Sequence, residues 1–462
     1  MKKTNLAKNT LLLSAGTLIN KGLIFVMVPF FSRWLSPAEY GMFDVFSIYI
    51  TLLIPFITMV CSDAVFRLSM NRDSGDEKAF YISNGLMIVV VNSVIAVLLL
   101  TVFKCLTGFQ HFGGFLILLL SQTFDEYFRG FLRAIQKLNV YAFSKAAGTV
   151  AIAVFVTAFV RFADMGLDGI LLGYALGYLA TDLLVATATK FPRYVSRQHF
   201  SAEGVKELLR FSMPLIPNNI SWWFINASDR AIVNLFLGAS ANGIYAIAYK
   251  IPNICSSVFT VFNFSWHESA CIMVKEKDRN LFFQDVYSKM LNTLLSLCAG
   301  MLCCNFFLFD WIFDPRYADA GLYAPILVTA IVFSSLAQFF GGIQISLMRP
   351  KENGVTTVIG AVVNLVVHLA LIRFIGLYAA ALSTAVSNMA VMLMRQIRLR
   401  STIAVRVTKG NLVCIGMYLY FLICCYIDLP AAVSVLNLAV SAGLALYVNR
   451  EYIAMILEKV KR

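Results

Sequence analysis

Stretches of about 20 apolar residues recur along this chain from residue 10 to residue 449, and no other feature constrains its fold as tightly. A helix needs about 20 residues to cross the hydrocarbon slab of a bilayer, so a run repeated over the full length puts the whole chain, and not a single anchor, in lipid. A membrane β-barrel would instead show segments of about 10 residues alternating apolar and polar, and these runs are too long and too uniformly apolar for that. Composition agrees: 59% of residues are hydrophobic, only 14% are charged, and the mean hydropathy is +0.76. Soluble domains carry about 25% charged residues, so an ordinary soluble enzyme is excluded. The expected class is an all-α polytopic membrane protein. Its ten cysteines fall mostly inside the apolar runs and read as reduced packing residues, with no metal site. The N-terminal MKKTNLAKNT and the apolar run after it read as a retained first helix, because the run is too long for a signal peptide.

The pattern predicts about fourteen spans. They cover approximately 10–31, 42–64, 80–103, 112–134, 143–160, 168–189, 211–236, 244–265, 286–309, 322–346, 354–372, 376–395, 411–427 and 430–449. With an even number of spans both termini share one side. Lys2, Lys3 and Lys8 at the start then match Arg450, Lys459, Lys461 and Arg462 at the end. The loops on that side carry most of the remaining Lys and Arg, among them Arg67, Arg129, Arg193, Lys206, Lys275, Arg349 and Arg395, whereas the opposite loops hold only Arg33, Lys104, Arg161, Arg316 and Arg373. The bias predicts cytoplasmic termini, and it accounts for the net charge of +13 without a nucleic-acid partner.

The basic stretch 190–210 is the longest inner connection, and Ser201 followed by Glu203 and Glu207 predicts a short interfacial helix there. The expected organisation is a first lobe of six helices over 1–189, the linker 190–210, a second lobe of helices 7–12 over 211–400, and two extra helices with a tail over 401–462. Internal similarity supports two copies. A shift of 202 lays LFLGASANGIYAI (235–247) on RWLSPAEYGMFDV (33–45), with Gly243 on Gly41, and a shift of 210 lays Gly376-Leu377 on Gly166-Leu167. Six helices separate the copies, so they keep the same orientation and are parallel repeats.

The opening NTLLLSAGT, then VPFFSRWLSPAEYG (28–41) and DRAIVNLFLGASANGIYAIAYK (229–250), resemble the polysaccharide flippase (Wzx-like) branch of the multidrug/oligosaccharidyl-lipid/polysaccharide transporter superfamily. The resemblance runs over essentially the full length. It implies two six-helix lobes that alternate access to a central cavity. Its implied cargo is an undecaprenyl-pyrophosphate-linked oligosaccharide crossing a bacterial inner membrane for surface polysaccharide such as O-antigen. A glycan polymerase and glycosyltransferases are then candidate partners.

Charges inside spans are costly, about 2.5–3.5 kcal/mol at mid-helix, and generally face a bundle interior or a wet cavity. Lys21 lies near the middle of the first span; Arg230 and Lys250 flank the turn at Ser240 at similar depth. These three are the candidate cavity cations, and a pyrophosphate is the group whose charge they match. Snorkelling for Lys21, and neutralisation of Arg230 by Asp229 or another carboxylate, are the alternatives. The run PLIPNNISWWFINASDR (214–230) offers Asn218, Asn219 and Asn226 for sugar hydroxyls and Trp222 or Trp223 for stacking on a pyranose, with interhelical contacts as the bland reading. Its two prolines predict a bent helix. Asp63 with Arg67, and Asp125 with Arg129, have i, i+4 spacing and are expected to neutralise each other. Asp182 has no local partner and is the candidate for a coupling cation, while His368 reads as a packing residue. No phosphate-binding loop, paired-histidine metal motif or nucleophile elbow occurs, so neither an enzyme nor a cofactor is expected. Drug or small-molecule efflux on the same fold is the competing function.

Overall fold

The computed structural model describes residue 22 and residues 25–69, 74–403, 405–427 and 429–450, and all regular structure among them is helical. The protein is an all-α polytopic membrane protein. Ten helices among the described residues are long and apolar enough to cross a bilayer. Other expected spans miss that measure for visible reasons. The stretch 10–31 lies mostly outside the described residues, Phe112–Ala134 carries Asp125, Glu126, Arg129 and Arg133, and Lys409–Cys424 is only 16 residues long.

The chain divides into two compact units, residues 1–231 and 232–462. In the first, α1 (Pro37–Thr58) opens on a capping box in which Ser36 Oγ accepts from the Glu39 N–H and Glu39 reaches back to the Ser36 N–H, with proline as its first residue. A short α2 (Cys61–Ser69) leads to α3 (Gly75–Thr107), α4 (Phe112–Ala134), α5 (Leu138–Val156, extended by a π turn to Phe162) and α6 (Gly166–Thr189). α6 packs chiefly on α5 and α4. Gly169, Gly173 and Gly177 put a hydrogen atom once per turn against α5. A Cβ on Gly173 would stand 2.7 Å from the Val156 Cα, and one on Gly177 2.8 Å from the Ile152 Cα. In lipid, where burial of apolar surface gives little drive for helix association, such backbone approach is what packing can use.

The stretch after α6 folds onto the end of this unit where α3 begins and α4 ends. Tyr194 and Phe191 pack edge-on against Phe131, Asn84 bridges the His199 carbonyl (2.8 Å) and the Ser201 N–H (2.9 Å), and Ser201 caps α7 (Ala202–Ser212) through the Gly204 N–H. The expected short helix is therefore present and starts where the capping residue placed it. Next comes α8 (Ile216–Ala248). Its prolines do not bend it: Pro214 lies in the 3-10 turn Met213–Leu215 and Pro217 in the first helical turn, where a missing N–H costs nothing. The break falls instead at Gly238 (φ 86°, ψ 173°), a conformation only glycine adopts comfortably. The first unit runs to Ala231 and so includes the first half of α8, from which Trp223 and Arg230 hydrogen-bond to α1.

The second unit continues with α9 (Lys250–Met273), α10 (Arg279–Phe307), α11 (Ala320–Ser346), α12 (Pro350–Ile375) and α13 (Leu377–Leu399). α14 (Lys409–Cys424) and α15 (Ala431–Val448) lean on α10. α13 packs chiefly on α11 and α12, repeating the packing of α6 on α4 and α5. The internal repeat shows in the backbone too. Gly238 corresponds to Ser36, the cap of α1, at the shift of 202, and Gly376 and Gly166, related by the shift of 210, both have positive φ (57° and 51°) at helix starts.

Gly173→Ala is expected to lower stability by about 1–3 kcal/mol through overpacking against α5, whereas Gly300→Ala, whose Cβ meets open space, is expected to be neutral or slightly stabilising. Thermal melting of both variants in detergent, followed by size-exclusion, checks the contrast; equal melting temperatures would contradict the close α5–α6 contact.

Candidate functional site

Two polar clusters stand out in the first unit. Near the Pro37 end of α1, Asp44 is 6% exposed and accepts a hydrogen bond at 3.0 Å from Arg230 on α8. Two turns earlier on α8, Trp223 donates its indole N–H to the Ile48 carbonyl one turn further along α1, at 2.8 Å. The two helices therefore run antiparallel along one seam, pinned by an ion pair at one end and an indole at the other. Arg230 is neutralised by a carboxylate from another helix, one of the alternatives the sequence left open. Asn219 donates back to the Leu215 carbonyl of its own first turn at 3.0 Å.

Toward the basic end, Arg129 on α4 holds two carboxylates, Asp125 at 3.0 Å and Glu126 at 2.8 Å. The expected Asp125–Arg129 pair is present. Across from it, Asp182 on α6 is 6% exposed, and neither of its carboxylate oxygens has a hydrogen-bond partner among the described residues. Thr181 beside it donates to the Gly177 carbonyl instead, its hydroxyl facing Gly148 of α5. A carboxylate in that position is expensive to keep ionised without a partner, so it is suited to take up a proton or a cation. Asp63 was expected to pair with Arg67; it pairs instead with Arg133 of α4 at 3.1 Å, whose guanidinium also covers the Phe66 ring. Packing of α2 on α4 brings that arginine closer than the local one.

In the second unit Lys250 is the half-buried first residue of α9, and His368 is wholly buried in α12, as a packing residue would be. Pro252 lies in the first turn of α9 and so opens that helix without bending it. Arg395 had been counted with the loop cations. Helix α13 runs on to Leu399, however, and Arg395 is 6% exposed inside it. Its guanidinium donates to Thr356 (3.0 Å) and Thr357 (2.8 Å) of α12 and to the Ala337 carbonyl (2.7 Å) of α11, with no carboxylate at ion-pair distance among the described residues. The Asn353, Thr356 and Thr357 cluster four and three residues apart was the available signal. A cleft of about 230 Å³ also opens beside α10, α14 and α15, lined in part by Cys303, Asn305, Asp310, Cys424 and Asn437.

Lys21 lies outside the described residues, and the side chains of Asn218, Trp222 and Asn226 are likewise not described. Of the other sequence-derived residues, Arg230 and Trp223 share the α1–α8 seam, Asn219 bonds within its own helix, Asp182 lies in the separate cluster nearer the basic end, and Lys250 belongs to the second unit.

Three comparisons bear on this arrangement. The sequence profile of a family described as "Polysaccharide biosynthesis protein" matches residues 6–266. The probable low-salt glycan biosynthesis flippase Agl15 of Haloferax volcanii is 21% identical over 397 residues, spanning 83% of this chain and 81% of that protein. Among solved structures, the lipid II flippase MurJ in an inward closed conformation superposes with a TM-score of 0.68 at 14% identity, covering 96% of this chain and all of the other. An inward-facing multidrug resistance transporter of the MATE family gives 0.62 at 16% identity, covering 84% and 94%. These two likenesses establish the fold.

The ion pair across the α1–α8 seam is expected to couple its partners by about 1–3 kcal/mol. Melting of Asp44→Asn, Arg230→Gln and the double variant measures it: the double variant should lose less than the two single losses together, and strictly additive losses would contradict a formed pair.

Proposed function

Because the chain belongs to the polysaccharide biosynthesis protein family, we propose that it is a flippase that carries an undecaprenyl-pyrophosphate-linked oligosaccharide from the cytoplasmic to the outer leaflet by alternating access. Membership in that family, and its superfamily fold, make it a membrane transporter and not an enzyme. The observation that carries the cargo class is the alignment with a glycan biosynthesis flippase over four-fifths of both chains. Undecaprenyl as the lipid, O-antigen or a related surface glycan as the product, a bacterial inner membrane as the location and cytoplasmic termini belong to the proposal. The concentration of Lys and Arg on one side of the chain supports the orientation. A glycan polymerase and glycosyltransferases would work on either side of the step.

In this reading Lys21, Arg230 and Lys250 supply positive charge to the pyrophosphate. Arg230 does so from a guanidinium whose direction is fixed by its bond to Asp44. Asn218, Asn219, Trp222, Trp223 and Asn226 form the sugar-contacting face of the same helix, and Asp182 takes up the coupling ion. Its burial and its two unpartnered oxygens support that role. Small-molecule or drug efflux is the second reading, supported by the fold likeness to a multidrug resistance transporter.

Leaflet exchange of a labelled polyprenyl-pyrophosphate oligosaccharide in proteoliposomes tests the proposal. Wild type should accelerate exchange well above protein-free liposomes. Lys21→Gln, Arg230→Gln and Lys250→Gln combined should lower it by about tenfold or more, since charge-assisted contacts to phosphate contribute about 1.5–3 kcal/mol each. Restoring charge with Arg230→Lys in place of Arg230→Gln should recover part of the rate, and unchanged exchange in the folded triple variant would remove these residues from the site. Asp182→Asn should keep basal exchange while abolishing its stimulation by an imposed ion gradient; retained stimulation would rule out Asp182 as the coupling group.

A further inference from the structure

The segment between α6 and α8 is a folded elbow with one face against the unit and one face bare. Its inner face is fully specified. The Tyr81 hydroxyl donates to Glu207 at 3.1 Å, Ser83 donates to the Tyr194 carbonyl at 3.1 Å, and Asn84 holds His199 and Ser201. Gly204 lies so close to Asn84 and Phe80 that a Cβ there would come within 2.6 Å of the amide nitrogen. Leu208 is wholly buried in the cluster formed by Val65, Tyr81, Ile82, Tyr127 and Phe131. The elbow is thus a fixed part of the first unit and not a loose tether.

Its outer face carries Lys190, Arg193, Arg197, Lys206 and Arg210, all exposed. None of the five has a carboxylate at ion-pair distance among the described residues, although Glu203 and Glu207 lie in the same segment. The same stretch carries exposed apolar side chains: Phe200 (39% exposed) between Arg197 and Lys206, and Phe211 (39%) and Met213 (53%) just after Arg210. Five exposed cations against two glutamates, with aromatic and thioether side chains beside them, on a folded segment that joins two membrane helices, have the chemistry of a lipid headgroup contact. The apolar groups enter the acyl boundary and the cations meet lipid phosphates.

From this we infer that the 190–213 elbow docks on anionic phospholipid headgroups of the leaflet beside it, and that this docking anchors the first unit. An isolated basic loop would serve a positive-inside signal equally well without a fixed fold; the hydrogen bonds that hold this segment against α3 while its five cations stay exposed go beyond that requirement. Charge complementarity selects the occupant. A zwitterionic headgroup offers no net charge to five uncompensated cations, whereas an acidic one does.

Backbone hydrogen exchange of the full-length protein in lipid nanodiscs, without any lipid-linked glycan, tests this independently of the transport reading. Amides of 197–213 should exchange about threefold or more slowly when phosphatidylcholine discs contain about 30% phosphatidylglycerol, with α15 unchanged as a control. The combined Arg193→Gln, Arg197→Gln, Lys206→Gln and Arg210→Gln variant should lose the difference. Identical exchange of the wild-type elbow in the two lipids would overturn the inference, and this comparison needs no variant to fold. Protection produced equally by soluble pyrophosphate in pure phosphatidylcholine discs would also overturn it, because the site would then take a free anion and not the leaflet.

Discussion

Lipid gives a polar atom no water to fall back on, so each charge inside the slab must be paired, solvated by the protein's own groups, or left to bind something else. All three outcomes occur here. Arg230 and Arg129 are paired with carboxylates, Arg395 is solvated by two threonine hydroxyls and backbone carbonyls, and Asp182 has neither kind of partner. The pairs also fix helices. The bond between Arg230 and Asp44 ties α8 to α1, and the Arg395 cluster joins α11, α12 and α13. Among the described residues Asp182 is a buried carboxylate that these structural demands leave without a hydrogen-bond partner.

Close backbone approach does the rest of the packing. α6 meets α5 through three glycines one turn apart, and its counterpart α13 presents Ala379, Ala380 and Ala381, all fully buried, near its start. Small residues at helix contacts let dispersion forces act over the length of the seam where apolar burial contributes little. The same reasoning explains why the elbow after α6 contains Gly204 where it crosses α3.

Much of this was legible in the sequence because its signals are local. Hydropathy marks spans, Lys and Arg mark one side, Ser201 marks a helix start, and the repeat at a shift of 202 registers the Gly238 break against the cap at Ser36. Partner choice was not legible, because it is tertiary. Asp44 lies 186 residues from Arg230, and Asp63 takes Arg133 from α4 although Arg67 stands one turn away in its own helix. Prolines in 214–217 suggest a bend when the helix start is not known; with α8 beginning at Ile216, Pro214 precedes the helix and Pro217 is an ordinary first-turn residue. Arg395 was misplaced for the related reason that its helix extends four residues past the end of the apolar run.

This member of the polysaccharide biosynthesis protein family is proposed to move lipid-linked glycans and not cationic small molecules. The most direct test gives wild-type protein in one liposome preparation both a labelled polyprenyl-pyrophosphate oligosaccharide and a lipophilic cationic dye, with an imposed ion gradient, and follows each across the bilayer. The account predicts accelerated glycan-lipid exchange with dye movement no faster than in protein-free liposomes. Gradient-driven dye movement without glycan-lipid exchange would contradict it.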